Sequence, residues 1–262
     1  MLVIKPKRRW SMIRYYRLFR SFKNWQLYLR YKMGLSVSWP LLFETRNGLL
    51  VEVPRRLLHT FKSIFLDESY MKGLEKNIPP QATIVDIGAN AGYFTLFALM
   101  KFVRPSLFAY EPIPASYTQL ERHRRLNPGQ SMKCFPMAVS GHGGEIALSF
   151  DAADPFTTSA TVFSSCAPAP DSLRVPSVTL QKIFEEHCLS RCDLLKIDCE
   201  GAEYDILYSS SSDVLKSIDQ MAMEVHPGEG KDQNIGAMKA FLESQGFRIR
   251  QRPVGKLWAW RP

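Results

Sequence analysis

The sequence predicts an α/β fold, a mostly parallel Rossmann-like sheet with helices on both faces, preceded by a helical extension and a β-hairpin. Three observations predict it. The run Ile84-Val85-Asp86-Ile87-Gly88-Ala89-Asn90-Ala91-Gly92-Tyr93-Phe94 passes from a strand-like apolar stretch, through an acid and a small-residue turn, into a helix-like apolar stretch. That is the form of a first βα turn in a nucleotide-binding sheet. Downstream, short apolar runs alternate with helical patterns, which implies parallel strands joined by right-handed crossovers. Four of five predicted strand ends carry ionisable groups (Asp86; Glu111; Asp198; Glu224 with His226), at the edge where open α/β sheets bind ligands.

The chain of 262 residues suits one such domain with an appended piece. Its division is predicted as an N-terminal extension over 1–38, a hairpin and helix over 39–78, and the α/β domain over 79–262. The net charge of +9 is uneven: residues 1–43 hold ten Lys and Arg and no acid, leaving 24 basic against 25 acidic residues in the remainder. Five scattered cysteines without a C-x-x-C pair argue against a disulfide framework or structural zinc, and fit a reducing cytoplasm. No apolar run approaches the ~20 residues of a membrane span. Arg14, Arg17 and Arg20 interrupt any signal-peptide core. A cytoplasmic location is expected.

Residues 10–32 alternate aromatic and basic side chains (Trp10, Tyr15, Tyr16, Phe19, Phe22, Trp25, Tyr28 and Tyr31) and are expected to be helical. Such a helix either packs on its own domain or a second subunit, or lies on an anionic membrane through residues 1–32. Residues 41–53 predict a hairpin, with Asn47-Gly48 in a type I′ turn. Pro54 opens a helical stretch to about Leu66, and Pro79-Pro80 marks the entry to the core. Predicted core strands are Thr83–Ile87, Ser106–Tyr110, 132–139, Leu194–Ile197 and 220–225, with an extra strand over 145–150. Helices are expected over 92–102, 115–126, 202–208 and 233–245, and an antiparallel pair over 247–251 and Lys256–Trp260. The irregular segment 151–172 and the hairpin are candidate lids. His59, His123, His142 and His187 are expected in solvent.

The glycine spacing is G-x-N-x-G, neither the G-x-G-x-x-G of dinucleotide enzymes nor a phosphate loop. The acid before Gly88 suits a ligand bearing an ammonium group, such as S-adenosylmethionine. Asp86 has a second explanation as a turn cap, and Asn90 as a residue tolerant of left-handed backbone. Glu111, 23 residues past Gly88, can accept both hydroxyls of a ribose, a role shared by adenosine cofactors in general. In the run from Asp193 to Glu203, Asp198 falls where the strand leaves the sheet and faces the reaction centre. Glu200 and Glu203 fall at a helix start, where the dipole favours negative charge. His226 shares that edge and is a candidate general base. Asp198, Glu224 and His226 form a candidate divalent-metal set, although their spacing matches no recognised metal motif.

These residues in order (Val85 to Tyr93, Tyr110-Glu111-Pro112, Ala138-Val139-Ser140, Leu195 to Glu203, Glu224-Val225-His226) resemble the motifs of FkbM-type S-adenosylmethionine-dependent methyltransferases, over roughly 61–247. The resemblance implies a class I methyltransferase fold, a seven-stranded sheet whose last strand inserts antiparallel. It implies O-methylation of a hydroxyl on a sugar, glycan or other small-molecule acceptor. Asp86, Gly88, Asn90 and Gly92, with Ala89 and Tyr93 in the same turn, would hold the methionine end of the cofactor. Glu111 and Pro112 would hold the ribose, and Ala138 and Val139 the adenine. His226 or Asp198 would take the acceptor's proton while the other orients the acceptor, with Lys196 a third catalytic candidate. Cys199 stands where the family commonly has a small apolar residue, and the basic N-terminus lies outside the family core. Three alternatives stay open: a nicotinamide oxidoreductase, a non-catalytic membrane- or nucleic-acid-associated module, and a methyltransferase acting on protein or nucleic acid. The near-neutral body disfavours nucleic acid. The acceptor, the choice of oxygen or nitrogen, any metal requirement and the oligomeric state are not legible in the sequence.

Overall fold

A computed structural model describes residues 7–149, 161–162, 172–252 and 255–262. Helices α1 (Lys7–Ser21) and α2 (Gln26–Lys32) open the chain. The single helix predicted over 10–32 is broken because Phe22 leaves it for the core. Its ring lies 5.3 Å from Phe43 and 5.4 Å from both Phe61 and Phe65, and its backbone bridges to Thr45. Strands β1 (Leu41–Glu44) and β2 (Leu50–Val53) form the predicted antiparallel hairpin. Its turn differs from the type I′ expectation: of Asn47 and Gly48 only Gly48 has positive φ, +88°. The Thr45 amide bonds to the Leu49 carbonyl, and Asn47 spends its side chain on the Thr45 hydroxyl and the Leu99 carbonyl. A 3-10 turn (Arg55–Leu57), α3 (Leu58–Phe61) and a π turn (Lys62–Leu66) follow without a break.

The core then alternates as β3 (Thr83–Ile87), α4 (Tyr93–Lys101), β4 (Ser106–Tyr110), α5 (Pro114–Leu126) and β5 (Met132–Phe135). The strand predicted over 132–139 splits at Pro136, which has no amide to donate to a ladder. Its second half, β6 (Ala138–Val139), joins β7 (Gly144–Ser149), β8 (Thr161–Val162) and β9 (Ser172–Val178) in a second sheet of order β6-β9-β7-β8. The rest of the candidate lid at 151–172 lies outside the described residues.

After α6 (Leu180–Glu186) come β10 (Leu194–Ile197), α7 (Glu203–Tyr208), α8 (Ser212–Lys216), β11 (Gln220–Glu224), α9 (Ile235–Ser244), β12 (Arg248–Gln251) and β13 (Lys256–Trp260). The main sheet has seven strands in the order β12-β13-β11-β10-β3-β4-β5. The last strand, β13, inserts antiparallel between β11 and β12, while β11, β10, β3, β4 and β5 run parallel.

Helix α4 is apolar all round, and residues 93–99 are all buried, because it is covered on two sides. The sheet lies on one. On the other, Phe65 packs edge-on against Tyr93 and Phe97. Leu18, Phe22, Phe43 and Phe61 belong to the same apolar cluster as Ile84, Phe94 and Leu194, so the N-terminal segments and the sheet share one core.

Candidate active site

The turn after β3 is built on backbone that ordinary residues resist. Gly88 has φ +69°, and a Cβ there would stand 1.8 Å from the Asp198 carbonyl oxygen. Glycine therefore lets the turns after β3 and β10 touch. The Gly88 and Ala89 amides donate to the Tyr110 carbonyl at 3.0 and 2.9 Å. Asn90 has φ +50°, and its amide donates to Glu111 at 2.7 Å. Glu111 also accepts from the Ile113 amide at 2.8 Å. Burial pushes the Glu111 carboxyl up to about 7, against these two amides, which pull it down.

Asp86 and Gly92, expected to touch the ligand, do not line the cavity. Asp86 is fully buried; it accepts from the Thr95 hydroxyl at 2.7 Å and lies 3.0 Å from the Lys196 ammonium. Its Oδ1 has no hydrogen-bond partner, so this ion pair is what answers that oxygen. Lys196 donates to the Gly88 carbonyl at 2.6 Å. Burial opposes its charge, but Asp86 and Asp198 outweigh burial and hold the ammonium above the ordinary lysine range. Lys196 is thus placed as a brace for the glycine turn. Gly92, with φ +82°, brings the turn against Leu120 of α5.

A cavity of about 350 Å³ opens at the carboxyl ends of β3, β4, β10 and β11, within the ~300–1,000 Å³ of small-molecule sites. Gly88, Ala89, Asn90, Tyr93, Glu111, Pro112, Ala138, Val139, Lys196, Asp198, Glu224 and His226 all line it. Ile113, Ala138, Val139 and Leu148 make apolar wall; Asp198, Glu200, Glu224 and His226 add charged wall. The hairpin does not reach it. Leu41, Phe43, Val51 and Val53 are buried in the core, and His59, Thr60, Ser63, Ile64 and Tyr70 line the cavity instead.

His226 organises the charged part. Its Nδ1 lies 2.7 Å from the fully buried Glu203, and its Nε2 faces Glu200 at 3.4 Å and Asp198 at 4.0 Å. Burial would lower its pKa, but Glu203, Glu200 and Asp198 outweigh burial and raise it to about 9. These carboxylates favour the protonated imidazolium, which makes His226 a weaker candidate for the base than an unpaired imidazole would be. Asp198 accepts from the Tyr70 hydroxyl at 2.5 Å. Glu200 sits in left-handed backbone, φ +53°. Burial chiefly pushes its carboxyl up to about 7; His226 pulls it down, and Asp198, Glu203 and Glu224 push it up. A carboxylate poised there suits general-base work.

Asp198, Glu200 and His226 offer ligand atoms all within 4.8 Å of one another, close enough together to share a metal ion. Glu224, expected as the third member, instead pairs with the Lys256 ammonium. Tyr70 ties these groups together: Lys256 lies 4.0 Å over its ring, and the Trp258 indole donates to its carbonyl at 2.6 Å.

Sequence reasoning missed Tyr70 and Lys256, which belong to no motif. Glu200 and Glu203 were visible, but a helix-start role explained both. Two histidines expected in solvent are structural. His123 is fully buried; its Nδ1 donates to the Ala91 carbonyl at 2.7 Å and its Nε2 accepts from the Glu52 amide at 3.0 Å. Burial lowers its pKa, so it stays neutral and ties the glycine turn to β2. His187 stacks on Phe108 at 4.5 Å and bonds to the Tyr110 hydroxyl.

The methyltransferase FkbM domain family matches residues 86–249. Methyltransferase 1 of Beauveria bassiana (strain ARSEF 2860) is 27% identical over 209 residues, covering 73% of this chain and 82% of that protein. The 31-O-demethyl-FK506 methyltransferase FkbM of Streptomyces tacrolimicus is 28% identical over 220 residues, covering 72% of this chain and 81% of that protein. In fold, the chain is similar to the solved methyltransferase FkbM from Methylobacillus flagellatus KT, with a TM-score of 0.51, 13% identity, and coverage of 78% of this chain and 54% of that one.

Proposed function

The chain belongs to the FkbM methyltransferase family, and on that premise we propose that it methylates a hydroxyl of a sugar, glycan or other small-molecule acceptor, using S-adenosylmethionine. The observation that carries this reading is Glu200. It is a cavity-lining carboxylate with a pKa near 7, facing a histidine whose other nitrogen is fixed by buried Glu203. The Streptomyces relative, named for a 31-O-demethyl acceptor, supports a hydroxyl as the target.

The donor set fits the cofactor. Each Glu111 oxygen accepts one backbone amide and keeps lone-pair capacity for a ribose hydroxyl. Ile113, Ala138, Val139 and Leu148 provide apolar surface for a purine. Asp198, Glu200 and Glu224 make that part of the cavity favourable for a cation. When bound, the cofactor supplies an electrophilic methyl group.

The chain's own work is then positioning and proton removal. Glu200 takes the acceptor's hydroxyl proton, a contribution of roughly 10²–10⁴-fold. Asp198, held by Tyr70, orients the acceptor oxygen. The His226 imidazolium, clamped by Glu203, holds Glu200 and Asp198 in register. Alignment of this kind can lower a barrier by up to ~7–11 kcal/mol in well-oriented cases.

Calorimetric titration of the purified chain with S-adenosylmethionine, S-adenosylhomocysteine and NAD tests the cofactor. Mass spectrometry of small-molecule extracts incubated with methyl-labelled cofactor tests the acceptor. Binding of the first two ligands and a labelled O-methyl product are expected. Binding of NAD alone, or label found only in protein or nucleic acid, would overturn the reading.

A further inference from the structure

We propose that the outer face of α1 is a docking surface for an anionic phospholipid membrane. The helix is clamped to the body along its other face. Leu18 and the following Phe22 are fully buried. Arg14 makes a two-bond pair with Asp67, and Arg17 reaches the Leu66 carbonyl and Glu68. At about 100° per residue, Met12, Ile13, Tyr16 and Arg20 project from the opposite arc. Met12 is 70% and Tyr16 60% exposed, and Ile13 and Phe19 are exposed beside them.

This concentration of apolar side chains in solvent is peculiar to the N-terminal segments. Among the described residues, seven of the nine large exposed hydrophobics fall between Met12 and Leu42; the other two are Val103 and Tyr208. A soluble protein seldom gathers such groups without a partner. The charge selects the partner. Residues 1–43 carry ten basic side chains and no acid; among the described residues of this stretch, Arg14, Arg17 and Lys23 pair with acids of the body. Exposed Met, Ile, Tyr and Phe among Arg and Lys fit the boundary between anionic headgroups and acyl chains. A nucleic acid would draw on the charge but has no use for Met12 and Ile13. Among the described residues no helix is long and apolar enough to cross a membrane, so the contact is peripheral.

The test is flotation of the full chain with vesicles of phosphatidylcholine alone or with phosphatidylglycerol added. The protein is expected to float with the anionic vesicles only, and less as salt rises. The Ile13→Glu/Tyr16→Glu variant should lose at least about tenfold in partitioning, and Arg20→Gln about fivefold, both with unchanged melting temperature because these side chains lie in solvent. Three results would overturn the proposal: no association with anionic vesicles at low salt; association indifferent to Ile13→Glu/Tyr16→Glu; or no vesicle binding together with either a dimer that this variant makes monomeric or oligonucleotide binding that it leaves intact.

Discussion

Lys196 and Asp86 are register partners on adjacent parallel strands, with the ammonium 3.0 Å from the carboxylate and both residues buried. The pair is expensive to break and cheap to replace whole. Removing one partner strands a buried charge at about 3–5 kcal/mol, whereas an apolar pair of similar volume is often neutral. Lys196→Met should therefore lower the melting temperature by about 10 °C for a domain of this size. Adding Asp86→Leu should restore most of that loss without restoring cofactor affinity, because the Gly88 carbonyl still lacks its Lys196 donor. Equal melting of wild type and Lys196→Met would show that the ion pair contributes no stability.

The two glycines of the turn should respond differently to alanine. At Gly88 a Cβ meets the Asp198 carbonyl, backbone against backbone, at 1.8 Å; at Gly92 it meets the tip of the Leu120 side chain at 2.5 Å. Both substitutions carry the left-handed penalty of about 1–2 kcal/mol. Leu120 can rotate away, but the Asp198 carbonyl can retreat only by moving the whole turn after β10. Urea denaturation should show Gly92→Ala folded and moderately destabilised, and Gly88→Ala severely destabilised and without cofactor binding. The reverse order would contradict the geometry.

The contrast between Asp86 and Asp198 shows how much was legible in the sequence. Both are acids in or next to a mainly apolar strand, and the strands themselves were readable because β3, β4, β10 and β11 are short, mostly apolar runs that give way to turn residues. Asp198 lies past the end of β10 and lines the cavity; Asp86 lies inside β3, opposite a lysine 110 residues away. Register between distant strands has no local signal, so that difference was invisible. The same holds for Tyr70, whose partner Asp198 is 128 residues on. It holds too for Glu203, where a sufficient local explanation at a helix start hid its bond to His226. The second sheet was missed for another reason: β9 contains Pro176, and proline within a run argues against a strand.

Glu200→Gln should weaken cofactor binding far less than it lowers kcat, because Asp198 and Glu224 keep the cavity negative, and should lower kcat by roughly 10²–10⁴-fold. The pH profile supplies the sharper check. With its carboxyl raised to about 7, Glu200 becomes a base only as pH rises through that value. Wild-type kcat should climb across pH 6–8 with an apparent pKa near 7, and the residual activity of Glu200→Gln should lack that limb. A wild-type profile flat from pH 5 to 8, on both sides of the Glu200 pKa near 7, would remove Glu200 from proton transfer.

The Glu203–His226 pair makes a prediction about stability with a definite sign. The imidazole titrates near 9 in the folded chain against 6.5 ordinarily, so folding is linked to its proton. A pKa raised by folding means that the native state holds the proton more tightly. The stabilisation is complete below pH 6.5 and is lost as pH rises through 9. The difference in melting temperature between wild type and His226→Gln should therefore be largest at acidic pH and shrink steadily toward pH 9. Nuclear magnetic resonance titration of labelled histidine should place His226 well above the ordinary imidazole value of 6.5, and Glu203→Gln should move it down, because the largest of the three carboxylate contributions is gone. A His226 resonance that titrates near 6.5 in the wild type would mean that the imidazole is neutral at physiological pH, and would return it to candidacy as the base.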